Sequence, residues 1–389
     1  MCTEWKTYEL GTLLSYEQPT AYIVESTDYN DNYQTPVLTA GKSFIIGYTN
    51  ETSGIYKSLP VIIFDDFTTS SQYVNFPFKV KSSAMKILSP NTELVLPKFI
   101  YYRMQIIQFD HSTHKRYWIQ QYSKIEVKIP SIPEQEHIVS KIEELFSKLD
   151  ASVAELQTAK EKLKVYRQAV LKEAFEQAIS MDSKEMTIDN LLVKTRKGMS
   201  TGPFGTMLKK HEHQSTGIPV LGIENIGEGE FIPGNKIFVT PEKALELQAF
   251  RLHAGDIIIS RSGTVGELCI VPSYMENALL STNLMRISLD HEIVLPRYFV
   301  YLFRSKGVVV DQVKELCKGS TRMFLNQTIL KQIRFPIPTI SVQQKLIELV
   351  ESRLSICDGI EQTIDSSLQQ AEALQQSILK LAFEGDLKI

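Results

Sequence analysis

The sequence PSIPEQEHIVSKIEELFSKLDASVAELQTAKEKLKVYRQAVLKEAFE, residues 130–176, is repeated 208 positions further on as PTISVQQKLIELVESRLSICDGIEQTIDSSLQQAEALQQSILKLAFE, residues 338–384. The two copies align without a gap, and identical residues recur from Pro130 and Pro338 to Phe175 and Phe383. A register that is held over this length without an insertion indicates an internal duplication.

Each copy predicts a long amphipathic helix. Apolar residues recur at three-four spacing, which is typical of a coiled-coil seam. They are Ile138, Ile142, Leu145, Leu149, Leu156, Leu163, Tyr166 and Val170 in the first copy, and Leu346, Val350, Ile360, Ile364, Leu374, Ile378 and Leu381 in the second. Ser152, Ala159, Arg353 and Cys357 interrupt these seams, so neither copy is a pure heptad repeat. Pro130 and Pro338, at the start of the two copies, favour a first helical turn, and Gly385 is typical of the end of a helix.

A globular segment precedes each helix. Short β-rich runs alternate with turns in residues 1–129, and Val95–Tyr102 is similar in sequence to Val294–Tyr301 of the second segment. We therefore divide the chain into a globular segment 1–129, a helix 130–177, a linker 178–186, a second globular segment 187–336 and a second helix 337–389. The predicted fold class is α+β: two mixed α/β domains joined by two long antiparallel helices, a coiled coil, in a tandem repeat with pseudo-two-fold symmetry.

Composition predicts a soluble, cytoplasmic protein. The 389 residues are 43% hydrophobic and 22% charged, without an eighteen-residue apolar run or a signal peptide at the start. The four scattered cysteines, Cys2, Cys269, Cys317 and Cys357, suit a reducing compartment and argue against a structural metal site.

The net charge of −3 hides a local basic surplus. Residues 187–336 carry 18 Lys and Arg against 14 Asp and Glu, whereas residues 1–129 carry 12 of each class. The surplus gives modest, local support for binding to nucleic acid.

Motifs for catalysis are not found in the sequence. Gly41-Lys42-Ser43 lacks the leading glycine of a P-loop, and His211-Glu212-His213 lacks the spacing of two zinc ligands on one helical face. Asp65-Asp66 is not followed by the Glu-x-Lys of a nuclease, so we favour a hydrogen-bonding or structural role for it. The Asn/Asp-Pro-Pro-Tyr signature of adenine methyltransferases is also missing. We therefore expect a protein that is not itself an enzyme.

Several short sequence motifs, together with the tandem arrangement, closely resemble the specificity subunits of type I restriction–modification systems. They are Thr201-Gly202-Pro203-Phe204-Gly205-Thr206-Met207-Leu208-Lys209, Ile218-Pro219-Val220-Leu221, Glu224-Asn225-Ile226, Gly255-Asp256-Ile257, Arg261-Ser262-Gly263-Thr264-Val265-Gly266, Gly319-Ser320-Thr321, and the ending Gln376-Ser377-Ile378-Leu379-Lys380-Leu381-Ala382-Phe383-Glu384-Gly385. The first globular segment departs from this pattern, with residues 60–69 in place of the Gly-Asp-Ile phrase.

The resemblance implies separate roles for the globular segments, for the helices and for the partner subunits. Each globular segment would be a target recognition domain that reads one half of an asymmetric bipartite site in double-stranded DNA. The helices would set the spacer between half-sites and dock two methyltransferase (M) subunits. The chain itself would hold no cofactor: S-adenosylmethionine would bind the M subunits, and ATP and Mg would bind the restriction (R) subunits. The assembly would be an adenine-N6 methyltransferase and, with R subunits, an ATP-dependent nuclease.

Candidate DNA contacts follow from side-chain chemistry. In the second segment, Lys209, Lys210, Lys318 and Arg322 suit phosphate, Ser320 and Thr321 can donate hydrogen bonds to it, and Arg261 and Asn225 suit guanine and adenine. In the first segment we select Lys42, Thr68, Thr69, Lys81, His114, Arg116 and Tyr117. The alternative hypothesis is a coiled-coil scaffold whose globular segments bind protein.

Overall fold

Two compact units make up the chain. The structure is a computed structural model that describes residues 5–41, 43–110, 116–180, 183–204, 207–263, 265–317 and 324–384, with the backbone alone in residues 177–180. Unit 1 comprises Met1–Gln157 and Asp365–Ile389, and unit 2 comprises Thr158–Ile364. Each unit therefore combines a globular part with a portion of both long helices.

Unit 1 is built on two small sheets and a strand pair. Its strands are β1 (Lys6–Glu9), β2 (Leu14–Glu17), β3 (Thr35–Leu38), β4 (Ile45–Thr49), β5 (Val61–Asp65), β6 (Ser71–Val74), β7 (Lys79–Val80), β8 (Met85–Pro90) and β9 (Glu126–Ile129), and its short helices are α1 (Leu10–Leu13) and α2 (Pro97–Met104). The antiparallel sheet has the order β2-β8-β5-β6, the second sheet has the order β4-β3-β7 with β3 and β7 parallel, and β1 pairs with β9.

Unit 2 repeats that topology. Its strands are β10 (Lys184–Met186), β11 (Met199–Thr201), β12 (Ile218–Leu221), β13 (Ile237–Val239), β14 (Ile257–Ser260), β15 (Leu268–Ile270), β16 (Leu279–Leu280), β17 (Leu284–Ile287) and β18 (Phe335–Ile337). Its short helices are α4 (Ile188–Leu191), α5 (Pro241–Glu246), α6 (Pro296–Arg304), α7 (Val310–Leu316) and α8 (Gln327–Gln332). The sheet orders are β11-β17-β14-β15 and β13-β12-β16, again with one parallel pair, and β10 pairs with β18. The strand β10 falls within the segment that the sequence predicts as a linker.

The central strands β5 and β14 are apolar up to their last residues, Asp65 and Ser260, because both of their faces are covered. In β5, Ile62 and Phe64 face the core that includes the helices of unit 1, and Val61 and Ile63 face a second core. The strand β14 alternates in the same way between two cores of unit 2. The sequence of such a strand is a continuous apolar run, and a polar turn follows it directly.

The two long helices are α3 (Ile132–Ser180) and α9 (Ile340–Glu384). Buried residues of α9 recur every seven positions at Val350, Cys357, Ile364, Ala371 and Ile378, which is a heptad seam. Cys357 is fully buried in this seam. The prediction that Cys357 interrupts the seam is therefore wrong, since a free thiol packs as a small apolar group.

The start of one helix lies beside the end of the other in both units. In unit 1, Ile138 and Ile142 of α3 share a core with Leu379 and Phe383 of α9. In unit 2, Leu346 and Val350 of α9 share a core with Leu171 and Phe175 of α3. The helices are therefore antiparallel, in agreement with the predicted fold class.

Equivalent aromatic contacts join the helix ends to the globular parts. The Phe383 ring meets Phe99 edge-to-face with centroids 5.2 Å apart in unit 1, and Phe175 meets Tyr298 at 5.3 Å in unit 2. Burial of such rings contributes about 1.5–3 kcal/mol each. Across the described residues, none of the helices has a stretch apolar enough to cross a membrane.

Candidate nucleic-acid interface

The residue after each central strand links three chain segments. In unit 1 this residue is Asp66, whose N–H donates to the Ala84 carbonyl (3.0 Å) and whose carbonyl accepts from the Tyr117 N–H (2.9 Å). In unit 2 it is Arg261, which bonds in the same way to the Asn283 carbonyl and the Leu325 N–H (both 3.0 Å). Tyr117 is the last residue of the polar stretch 111–117, and Leu325 comes three positions after the stretch 318–322; each donates its N–H to the residue that follows a central strand.

The Asp66 side chain is buried and acts as an anchor. Its carboxylate accepts from the Trp118 N–H at 2.8 Å and lies 3.3 Å from Lys86, which is also fully buried. Gln18 accepts a further hydrogen bond from Lys86 at 2.9 Å. This arrangement supports the structural role that the sequence favours for Asp66. Breaking such a buried pair by removing one partner costs about 3–5 kcal/mol.

Arg261 uses its side chain differently. Its guanidinium lies over the Phe324 ring, 4.7 Å from the centroid, and one terminal nitrogen donates to the Thr282 carbonyl at 3.4 Å. The Nε atom is buried and has no hydrogen-bond partner. Burial lowers the pKa of Arg261, but arginine remains charged at neutral pH. A ligand would therefore reach the cation through its terminal nitrogens.

A tight turn connects β5 to β6 beside Asp66. The Asp65 carboxylate accepts from the N–H groups of Phe67 and Thr68, at 2.9 Å each, and the Asp65 carbonyl accepts from the Thr69 N–H at 2.9 Å. Thr69 has a φ of 57°, which is unfavourable for a β-branched residue. Thr68 is exposed and Thr69 is half-buried. The predicted contacts Thr68 and Thr69 thus lie on a turn that is held in one conformation.

Four basic side chains selected from the sequence are exposed. Arg116 immediately precedes Tyr117, and Lys81 follows β7. Lys209 and Lys210 lie where a 3-10 helix, Lys210–Glu212, begins. Their exposure is compatible with binding to phosphate, and the proposed contact of each with DNA remains a prediction.

Asn225 and Tyr117 do not face solvent. Asn225 is fully buried, its side-chain oxygen Oδ1 accepts from the Gly222 N–H (2.9 Å), and its side-chain nitrogen Nδ2 donates to the Ile232 carbonyl (3.0 Å). Tyr117 is 2% exposed and packs edge-to-face on Phe109 at 4.9 Å. This burial contradicts a direct contact of either side chain with DNA: Asn225 closes a turn, and Tyr117 is a core residue.

Six further predicted contacts lie outside the described residues. They are Lys42 and His114 in the first globular segment, and Lys318, Ser320, Thr321 and Arg322 in the second.

Sequence reasoning missed two exposed aromatic residues. Phe67, 46% exposed, is at the tip of the turn after β5, and Phe204, 78% exposed, lies in the loop that leads to Lys209. Exposed rings in polar loops can stack on or insert between bases. The only sequence signal was their position beside Gly, Pro or Thr residues. A cluster of His, Cys, Asp and Glu fit for a metal ion is absent from the described part of the chain.

The fold and the interface define a class of protein with two α+β domains of the same topology. Each domain carries polar or basic side chains around its central strand, and each packs on the same pair of antiparallel helices. The two domains differ at equivalent positions, as Asp66 and Arg261 illustrate.

Comparison with known proteins identifies the family. Residues 204–370 match the family model of the type I restriction modification DNA specificity domain. The chain is 33% identical over 390 residues to the type I restriction enzyme EcoR124I/EcoR124II specificity subunit of Escherichia coli, covering 95% of this chain and 92% of the relative. It is 20% identical to the MjaVIII specificity subunit of Methanocaldococcus jannaschii, covering 99% and 93%. The chain therefore belongs to the family of type I restriction enzyme specificity subunits.

Solved structures support the fold. A chain from a structural study of complex assembly and conformational transition in the type I R-M system superposes with a TM-score of 0.70 at 15% identity, covering 99% of this chain and 98% of that one. The HsdS subunit from Thermoanaerobacter tengcongensis superposes with a TM-score of 0.54 at 14% identity, covering 99% and 97%.

Proposed function

We propose that this chain gives a type I restriction–modification complex its DNA sequence specificity, with each recognition domain reading one half of an asymmetric bipartite site. One observation carries the proposal: two domains of the same topology present different residues directly after their equivalent central strands, with Phe67-Thr68-Thr69 following the buried Asp66 in one and Arg261-Ser262-Gly263 in the other. Two recognition domains that share a fold but differ in surface residues are expected to bind two half-sites that differ in sequence.

The proposed DNA contacts combine phosphate binding with base reading. Lys81, Arg116, Lys209 and Lys210 are exposed cations that suit phosphate. Arg261 would read a base through its terminal nitrogens, and the turn with Thr68 and Thr69 would donate hydrogen bonds. The proposal retains Lys42, His114, Lys318, Ser320, Thr321 and Arg322 as contacts on the chemistry of their side chains.

Exposed apolar residues on the helices support docking of M subunits. Tyr166 of α3 and Leu374 of α9 are equivalent under the shift of 208 positions, and each is 50% exposed. Val165, Leu349, Ile356, Ile360 and Leu381 are further exposed apolar residues of the two helices. Large exposed apolar side chains mark partner surfaces, and the one pair that recurs in both copies, Tyr166 and Leu374, suits two identical partners.

Catalysis would belong to the partner subunits. The M subunits would bind S-adenosylmethionine and methylate adenine, and R subunits would use ATP and Mg to translocate and cut DNA. The chain would act in the cytoplasm, where its DNA substrate is accessible. A coiled-coil scaffold without DNA specificity is not favoured, because the family is that of DNA specificity subunits.

Methylome sequencing tests the proposal directly. Cells that express this chain with its M partner should gain one split motif with methylated adenine on both strands. Cells with the M partner alone are the control and should lack the motif. If a complex shown to be assembled adds no new motif, the chain does not confer DNA specificity.

A further inference from the structure

A fully buried glutamine occupies the start of each long helix. Gln135 of α3 and Gln343 of α9 are both 0% exposed, and the shift of 208 positions superimposes them. Glutamine is rarely buried to this extent, because each amide atom then needs a partner inside the protein.

Both glutamines make the same three hydrogen bonds. In unit 1 the Gln135 carbonyl oxygen accepts from the Leu96 N–H at 2.8 Å, and its amide nitrogen donates to the carbonyls of Leu94 and Pro130, each at 3.0 Å. In unit 2 the Gln343 oxygen accepts from the Leu295 N–H, and its nitrogen donates to the carbonyls of Ile293 and Pro338, all at 2.9 Å. We name each set the glutamine clamp.

Each clamp joins a globular part to a helix. Leu96 is the residue before α2, and Leu295 is the residue before α6. Pro130 and Pro338 lie between the last strand of each globular part and the long helix. One side chain therefore ties the loop before a domain helix to the entry of the spacer helix, at a point that water does not reach.

An ion pair also connects each globular part to its long helix, further along the helix, and it is more exposed than the clamp. Lys98 pairs with Glu143 in unit 1, and Arg297 pairs with Glu351 at 3.0 Å in unit 2. Side chains in these pairs are 30–46% exposed, and solvent screens such pairs. The clamp is thus shielded from solvent, whereas the ion pair is not.

We propose that Gln135 and Gln343 are positioning residues that set the angle between each recognition domain and its spacer helix, and thereby the gap that is accepted between half-sites. This inference rests on the proposed function, since it assumes that the two domains read the two half-sites. The clamp touches no candidate DNA contact, so it acts on spacing and not on the identity of the bases read.

The test compares neighbouring glutamines in the assembled complex with M subunits. Gln343→Leu removes the clamp of unit 2 while keeping a side chain of similar volume. Gln344→Leu is the matched control, because Gln344 is adjacent and exposed. Methylome sequencing reports the half-sites and the spacer length at every methylated locus.

We expect Gln343→Leu to keep both half-sites and to raise methylation at sites with a spacer one base pair longer or shorter by about tenfold. Gln135→Leu should give the same relaxation, because its clamp is equivalent, and Gln344→Leu should keep the original spacer. If Gln343→Leu does not assemble, Gln343→Met carries the test, since an unbranched apolar side chain fills the same space, buries no charge and lacks the amide donors and acceptor.

Two outcomes overturn the inference. The first is an assembled clamp variant that keeps the single original spacer, and the second is one that changes a half-site. Both differ from a failure of the proposed function, in which the unaltered chain itself yields no split motif.

Discussion

Arg261 is held in place through both its backbone and its side chain. Its backbone joins the end of β14 to the segments at Asn283 and Leu325, and its guanidinium is held over Phe324. A cation fixed on an aromatic ring loses less conformational entropy when it binds a base. Phe324 would therefore act on recognition through Arg261.

Substitution of Arg261 tests this arrangement. Arg261→Lys keeps the charge but loses the planar fork, so discrimination at the half-site read by unit 2 should fall by about 1–3 kcal/mol. Phe324→Leu should cost less, about 0.5–2 kcal/mol, and the double variant should lose less than the sum. Binding of the assembled complex to duplexes altered in one half-site measures these effects. Full discrimination by Arg261→Lys would exclude Arg261 as a reader.

The long helix α9 has a buried seam with a heptad period. Buried positions of α9 recur every seven residues from Val350 to Ile378. Removal of seven residues therefore keeps the seam in phase, whereas removal of four residues does not restore the heptad.

A matched deletion of residues 151–157 and 359–365 should shorten each helix by about 10 Å, the rise of roughly three base pairs. The complex should then prefer a shorter spacer with unchanged half-sites, as measured by methylome sequencing. A matched deletion of four residues is the control and should impair assembly. Altered half-sites after the seven-residue deletion would contradict the role of the helices as spacers.

At the scale of the whole molecule, the net charge of the chain determines how strongly it is attracted to DNA regardless of sequence, and here that charge is slightly negative. The net charge is −3, and the basic surplus is confined to residues 187–336. From this charge we expect weak long-range attraction of the isolated chain to DNA, so that binding would depend on local contacts.

Loss of the exposed pair Lys209 and Lys210 should weaken binding equally for all DNA sequences. The double variant Lys209→Gln and Lys210→Gln should reduce the slope of log affinity against log salt by about 2 units if each lysine neutralises one phosphate. Lys331→Gln is the control, because Lys331 pairs with Asp189 at 3.2 Å. An unchanged slope in the double variant would show that these lysines do not contact phosphate.

The sequence by itself determined the tandem repeat, the two long helices and the family. These features are local or periodic: the copies align in one register, and the spacing of apolar residues predicts a helix. The polar turns after the apolar runs of β5 and β14 could be located for the same reason. The spacing of apolar residues did not determine which face is covered, since the predicted seam residues Tyr166, Ile360 and Leu374 are 46–50% exposed. Seam positions were less certain, since Cys357 looked like an interruption until its burial was known.

Only the tertiary structure decided which polar side chains face inward. Asn225 and Tyr117 have the chemistry of DNA contacts, but each is buried among residues that surround it only after folding. Gln135 bonds to Leu94 and Leu96, some forty positions earlier, and Asp66 bonds to Trp118, 52 positions later. Such partners are brought together by the packing of sheet, loop and helix, and the pattern of neighbouring residues does not encode them.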